Sequence, residues 1–99
     1  MKVKFARNSD VVIETNVTSI NIDENGYVDF YTPDNYYYTT TQGRNPEDTE
    51  TTLWLEKFDE DEDDEPVDMV GIPFSEVCIN IMFAEHWVEV PKRDIFEGR

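Results

Sequence analysis

Apolar and polar residues alternate along most of this 99-residue chain, the period-2 pattern of strands that bury one face. Val3 and Phe5 alternate with Lys2 and Lys4 and read as a short opening strand. Asn8-Ser9-Asp10 is a turn, and Val11 to Thr15 runs β-branched. The alternation changes phase between Val17 and Ile20, which predicts a bulge or bend near Asn16. A hairpin is expected from Thr18 to Thr32, turning at Glu24-Asn25-Gly26. That register sets Ile22 against Val28, Ile20 against Phe30, Asn21 against Asp29 and Ser19 against Tyr31. One face is then apolar and the other polar or phenolic, and Gly26 supplies the left-handed residue that a three-residue loop needs. A shift of one residue would set Ile20 against Asp29.

Tyr36-Tyr37-Tyr38 and the three Thr after it are β-prone but show no apolar face, which suits an edge strand or an exposed arm. Residues 42–50 form a loop by composition. Thr51 to Phe58 reads as a strand with Leu53 and Leu55 on one side and Trp54, Glu56 and Phe58 on the other. Residues 59–66 are expected to be a flexible acidic loop. Alternation resumes from Val67 to Ile72, and Pro73-Phe74-Ser75-Glu76 makes a corner. Residues 74–83 fit a helical stripe or a strand, and the strand strands fewer apolar groups outside. Trp87 to Val90 follows as a short strand, and Ile95 and Phe96 are placed to pin the tail. The expected fold is mainly β: one domain over residues 1–99, a single small antiparallel sheet curled into a barrel or sandwich, with at most one short helix.

Composition supports that reading. Val and Ile number 17 and Thr nine, while Leu and Ala have two each; β-branched side chains pack well on a pleated surface. Leu, Ile, Val and Phe make up a quarter of the chain, enough for one modest core. Cys78 is the only cysteine, so no disulfide forms within the chain. The N-terminus has no charged-then-apolar leader, and no apolar run approaches the ~18 residues that cross a bilayer. A cytoplasmic protein is expected.

Charge changes the picture most. The formal net charge is −15, from 23 acids and 8 bases. Twelve acids lie between Asn45 and Asp68, with Lys57 as the only base there. Such a surface repels nucleic acid and anionic lipid and draws basic partners in. Asn21, Asp23, Asn25, Gly26 and Asp29 match part of a calcium-loop template, but its twelfth position is Thr32 and the hairpin explains the same residues without a metal. No cofactor and no metal are expected. Cys78 and the lone His86 lack an activating environment: there is no oxyanion-type or phosphate-binding Gly loop, and no charge there would activate the thiol. The chain is read as a non-enzyme.

What remains is the charge itself. Seven carboxylates from Asp59 to Glu65, if extended at ~3.3 Å per residue, would approach the ~3.4 Å charge spacing of one nucleic-acid strand. The candidate contact residues are Glu47, Asp48, Glu50, Glu56, Asp59, Glu60, Asp61, Glu62, Asp63, Asp64, Glu65 and Asp68. Tyr36, Tyr37 and Tyr38, with Tyr27, Tyr31 and Trp54, would add aromatic contacts. In size, charge and β-rich build the chain resembles the small acidic inhibitors that phages and mobile elements make against host machinery, the anti-CRISPR and anti-restriction nucleic-acid mimics. That resemblance includes no shared motif. It implies a partner with a basic nucleic-acid-binding cleft, such as a host nuclease, restriction complex or polymerase subunit, met in the host cytoplasm. The alternative is an assembly module that forms a homodimer through the Tyr/Thr edge strand.

Overall fold

Among the described residues nine strands form two antiparallel sheets, where a single curled sheet was expected. The computed structural model describes residues 1–24, 26–43 and 51–95, with Arg93 described by its backbone alone. The strands are β1 (Lys2–Arg7), β2 (Asp10–Asn16), β3 (Ser19–Ile22), β4 (Val28–Tyr31), β5 (Tyr36–Gly43), β6 (Thr52–Asp59), β7 (Asp68–Pro73), β8 (Val77–Phe83) and β9 (His86–Glu89). One sheet has the order β2-β1-β8-β9 and the other β3-β4-β5-β6-β7. A 3-10 turn, Phe74–Glu76, and a helical turn α1, Lys92–Ile95, complete the described elements. No described helix is long and apolar enough to cross a membrane.

The phase change in the sequence is where the chain passes from one sheet to the other. The Val17 amide donates to the Met1 carbonyl (2.8 Å), while the next amide, Thr18, donates to the Tyr31 carbonyl (2.8 Å). Two adjacent residues thus bond into different sheets, and Val17 itself is buried. The bulge lies elsewhere: the β1–β2 register slips between Phe5 and Ala6, leaving Val12 without an opposite residue. Because the chain changes sheets instead of continuing one, the strands do not close into a barrel.

Inward side chains of both sheets share one core. Val3, Phe5, Val77, Ile79 and Ile81 come from the first sheet, and Val28, Phe30, Leu53, Leu55 and Ile72 from the second. The Phe5 and Phe30 rings meet across the interior at 5.8 Å. Ile95, 1% exposed, tucks α1 against this core; Phe96 lies outside the described residues. The hairpin β3–β4 has the expected register throughout, and Gly26 has the left-handed φ of 86°. Residues 77–83 are a strand, as the alternation favoured.

The Tyr/Thr segment is not an edge. β5 is paired with β4 on one side and β6 on the other, so the homodimer reading loses the free edge on which it rested. The physical reason is that Tyr and Thr present apolar bodies with polar tips. Tyr38 points inward, 7% exposed, and stacks on Phe30 at 4.7 Å. Thr40, 2% exposed, accepts a hydrogen bond from the Val28 amide through Oγ1 at 2.8 Å. A strand that looks two-sidedly polar in sequence is therefore central.

Candidate partner-binding surface

The charge excess lies in the segment of the chain that builds one sheet and its connections. Residues 18–73, which span β3 to β7 and their connections, contain sixteen acids and two bases. The rest of the chain contains seven acids and six bases. The net charges of these parts are −14 and −1. The two ion pairs among the described residues, Arg7–Glu76 at 3.3 Å and Lys2–Glu14 at 4.0 Å, both lie on the near-neutral part. On the acidic part, no described carboxylate from Asp29 through Asp68 has a base within ion-pairing distance. Lys57, its one described base, follows the parity of buried Leu53 and Leu55 and points away from the outward face. Its ammonium rests 4.1 Å from the centre of the Tyr36 ring.

Strand register sorts the outward side chains of the acidic sheet into rows. The first row runs Ser19, Tyr31, Tyr37, Phe58. The second runs Asn21, Asp29, Thr39, Glu56, Met69. The third holds Thr41, Trp54 and Gly71. Two carboxylates, Asp29 and Glu56, thus lie in a row between the row of Tyr31, Tyr37 and Phe58 and the row of Trp54. Tyr37 packs against Tyr31 (5.5 Å) and stacks on Phe58 (5.2 Å), a ladder across three strands. Trp54 lies flat over its neighbours, and a Cβ on Gly71 would come within 2.8 Å of the ring. Glycine at 71 is what lets that indole lie on the sheet. Tyr31, Trp54 and Met69 remain exposed.

The acidic run connects β6 to β7 beside this face. It is a folded turn, not the extended row of charges that the spacing comparison assumed. The Glu62 amide donates to the Asp59 carbonyl (3.2 Å) and the Asp61 amide to Asp59 Oδ1 (2.9 Å). Asn35, with φ of 71°, anchors the turn: its Nδ2 donates to Asp61 Oδ2 (2.8 Å), and its carbonyl accepts from the Glu60 amide (3.0 Å). Clustering replaces linear spacing because the turn must return the chain to β7, where the Val67 amide donates to the Lys57 carbonyl at 2.7 Å. The Asp63 carboxylate lies near the Tyr37 phenol, which sets the turn beside the aromatic ladder. Burial and that carboxylate both raise the Tyr37 pKa. Residues Glu60 through Glu65 and Asp68 are all exposed.

The expected contact residues therefore divide. Glu60 and Asp63 of the turn lie near Tyr37, Asp59 follows the parity of Lys57 at the end of β6, and Glu56 sits in the outward row, where its Oε1 accepts from Thr41 Oγ1 at 3.3 Å. Asp68 lies opposite Lys57 at the start of β7. Tyr38 is spent in the core, and burial raises its pKa against the opposing pull of Lys57. Tyr36 is half-buried beneath the Lys57 ammonium. Glu47, Asp48 and Glu50 lie outside the described residues. Asp29 and Phe58 also belong to this outward surface and were not among the expected residues, although the hairpin register already placed Asp29 on the polar face and strand parity placed Phe58 on the side of Trp54.

Among the described residues the other groups singled out in the sequence stand apart. Cys78 and His86 cannot form a dyad: His86 pairs with Phe83, five residues along β8 from Cys78, or about 17 Å at ~3.4 Å per residue. Among the described residues no three His, Cys, Asp or Glu side chains converge as metal ligands. In the calcium-like hairpin, Asp23 Oδ1 instead accepts from the Tyr27 amide at 3.0 Å.

No family model, curated protein or solved structure matches this chain. Its function must be argued from this surface.

Proposed function

We propose that this protein is a non-enzymatic binding protein, built as a two-sheet sandwich, that covers a basic nucleic-acid-binding surface of a partner protein and blocks it. The observation that supports this reading is the segregation of charge. A net −14 falls on residues 18–73, the segment that builds one sheet and its connections, and the described carboxylates between Asp29 and Asp68 have no basic partner among the described residues. Carboxylates arranged to satisfy only the fold would be neutralised by neighbouring Lys or Arg. These repel one another in the free protein, and a cationic groove would relieve that repulsion on docking. The principal extents, 37 × 34 × 27 Å, match a stretch of duplex carrying roughly 20 phosphates, at one charge per ~1.7 Å. The net charge is therefore of the order that a DNA-binding cleft accommodates. This is the behaviour of phage-type anti-defence inhibitors, and the partner class is a host nuclease, restriction complex or polymerase subunit in the cytoplasm.

The test is capture of partners from a bacterial extract, elution with a salt gradient, and assay of the eluted protein for nucleic-acid binding with and without this chain. The reading expects a basic nucleic-acid-binding protein whose complex with labelled DNA is displaced stoichiometrically, with an affinity that falls steeply as salt rises. Capture of partners that bind DNA equally well in the presence of this protein contradicts it.

A further inference from the structure

We infer that the depression bounded by Asp29 and by the paired rings of Tyr31 and Tyr37 is an anchor for an arginine side chain of the basic partner. This deepens the proposed function and rests on it. The depression opens on the outward face of β3, β4 and β5, and its walls include Asn21, Asp29, Tyr31, Tyr37 and Thr39. The Asp29 carboxylate is half-buried there and has no hydrogen-bond or ion-pair partner among the described residues. A carboxylate partly withdrawn from water and left unpaired gains most from a cation that brings its own donors. Desolvation first, and then Asp23, hold its pKa above the ordinary carboxylate value, as that isolation requires.

The rings decide which cation fits. Tyr31 and Tyr37 are adjacent members of a ladder, 5.5 Å apart and inclined by 31°. They do not form the three-sided box that encloses a methylated ammonium. They offer a flat phenolic surface next to a carboxylate. A planar guanidinium stacks on such a surface while its edge donates two hydrogen bonds to Asp29, which a lysine ammonium cannot do in the same pose. Asp63 lies near Tyr37, so an arginine seated here lies beside the acidic turn, and both elements meet one cationic segment together.

The probe is a pair of fluorescent peptides of equal length and charge, nona-arginine and nona-lysine, titrated against the whole protein at low salt. The anchor predicts about tenfold tighter binding of the arginine peptide, the scale of one bidentate, stacked contact. Asp29→Asn, which keeps the side chain's shape, should bring that preference to about twofold or less. Tyr31→Leu, on an exposed ring, should do the same without disturbing the core. Neutralising Glu60 to Glu65 should weaken both peptides alike and leave their ratio unchanged. Equal affinities in the wild-type protein, or a preference that survives both point variants, overturns the anchor. If binding still depends on the acidic turn, the broader function stands without it. Failure of both peptides to bind, or binding that ignores the turn, overturns both.

Discussion

The two sheets share a core and differ almost completely in what they show to solvent. The β2-β1-β8-β9 sheet balances its charges: Lys2 meets Glu14, Arg7 meets Glu76, and Lys4 lies 4.3 Å above the Trp87 ring. Arg7 and Lys92 also converge on the turn at 74–76, where Lys92 Nζ donates to the carbonyls of Phe74 (2.9 Å) and Ser75 (3.1 Å). The β3-to-β7 sheet leaves its carboxylates facing water and turns its described base aside. The same core can support either surface, so the acidity is not a requirement of folding. It belongs to the surface, and that is why a function is sought on one face only.

The largest expected effect tests whether the sheets are one folding unit. Phe30 is the residue through which the acidic sheet meets Phe5, and Phe30→Ala should cost about 3–5 kcal/mol. Both sheets should then melt together in a single transition, read by the Trp54 and Trp87 fluorescence of single-tryptophan variants. Two separate melts would break the comparison into independent halves. Next in size is neutralisation of the turn, Glu60 to Glu65, to Asn and Gln. Loss of six charges should weaken binding to a basic surface by at least about tenfold and flatten its salt dependence. The melting temperature should hold or rise as repulsion is relieved. Neutralising Glu14 and Glu89 of the other sheet should leave binding nearly unchanged.

A smaller effect sits in the balanced sheet. Ala84 and Glu85 form the two-residue β8–β9 turn, both with positive φ (46° and 69°). Glycine is the residue suited to the second position, so Glu85→Gly should raise stability by about 1 kcal/mol in chemical denaturation, with only a marginal change in binding. The subtlest comparison is Asp29→Asn. Because the folded-state pKa of Asp29 is raised above its unfolded value, ionisation disfavours the fold. The wild type should gain stability as pH falls through that raised pKa toward the ordinary carboxylate value, and lose it again above. The Asn variant should lack this component and be no less stable than wild type at neutral pH. Melting curves between pH 3 and 7, as a difference between the two proteins, read it directly.

How far the sequence carries the argument depends on which forces decide each element. The hairpin β3–β4 was legible to the residue, because a buried face and a loop with Gly26 fix register locally. The strand at 77–83 was legible for the same reason: alternating Val77, Ile79 and Ile81 reach the core. The division into two sheets was visible only as a phase change near Val17, since which strand an amide pairs with is decided by distant residues. β5 was misplaced at an edge because Tyr38 and Thr40 look polar and bury well when Phe30 and the Val28 amide complete them. Of the candidate surface, the acidic run was plain in the sequence. Its folding by Asn35, and its link to Tyr37, were not, because those contacts join residues up to 26 positions apart. The row of Asp29 and Glu56, set between the Tyr31–Tyr37–Phe58 ladder and Trp54, exists only once the strands are in register.

The central claim is that cationic partners are met by one face. Its most direct test is amide chemical-shift mapping of the isotope-labelled protein during titration with the nona-arginine peptide at low salt. The account predicts saturable shifts confined to β3–β7 outward residues and the turn at 59–65, around Asp29, Tyr37 and Asp63, with the β2-β1-β8-β9 sheet unmoved. Shifts spread equally over both sheets, or centred on β1 and β8, would contradict it.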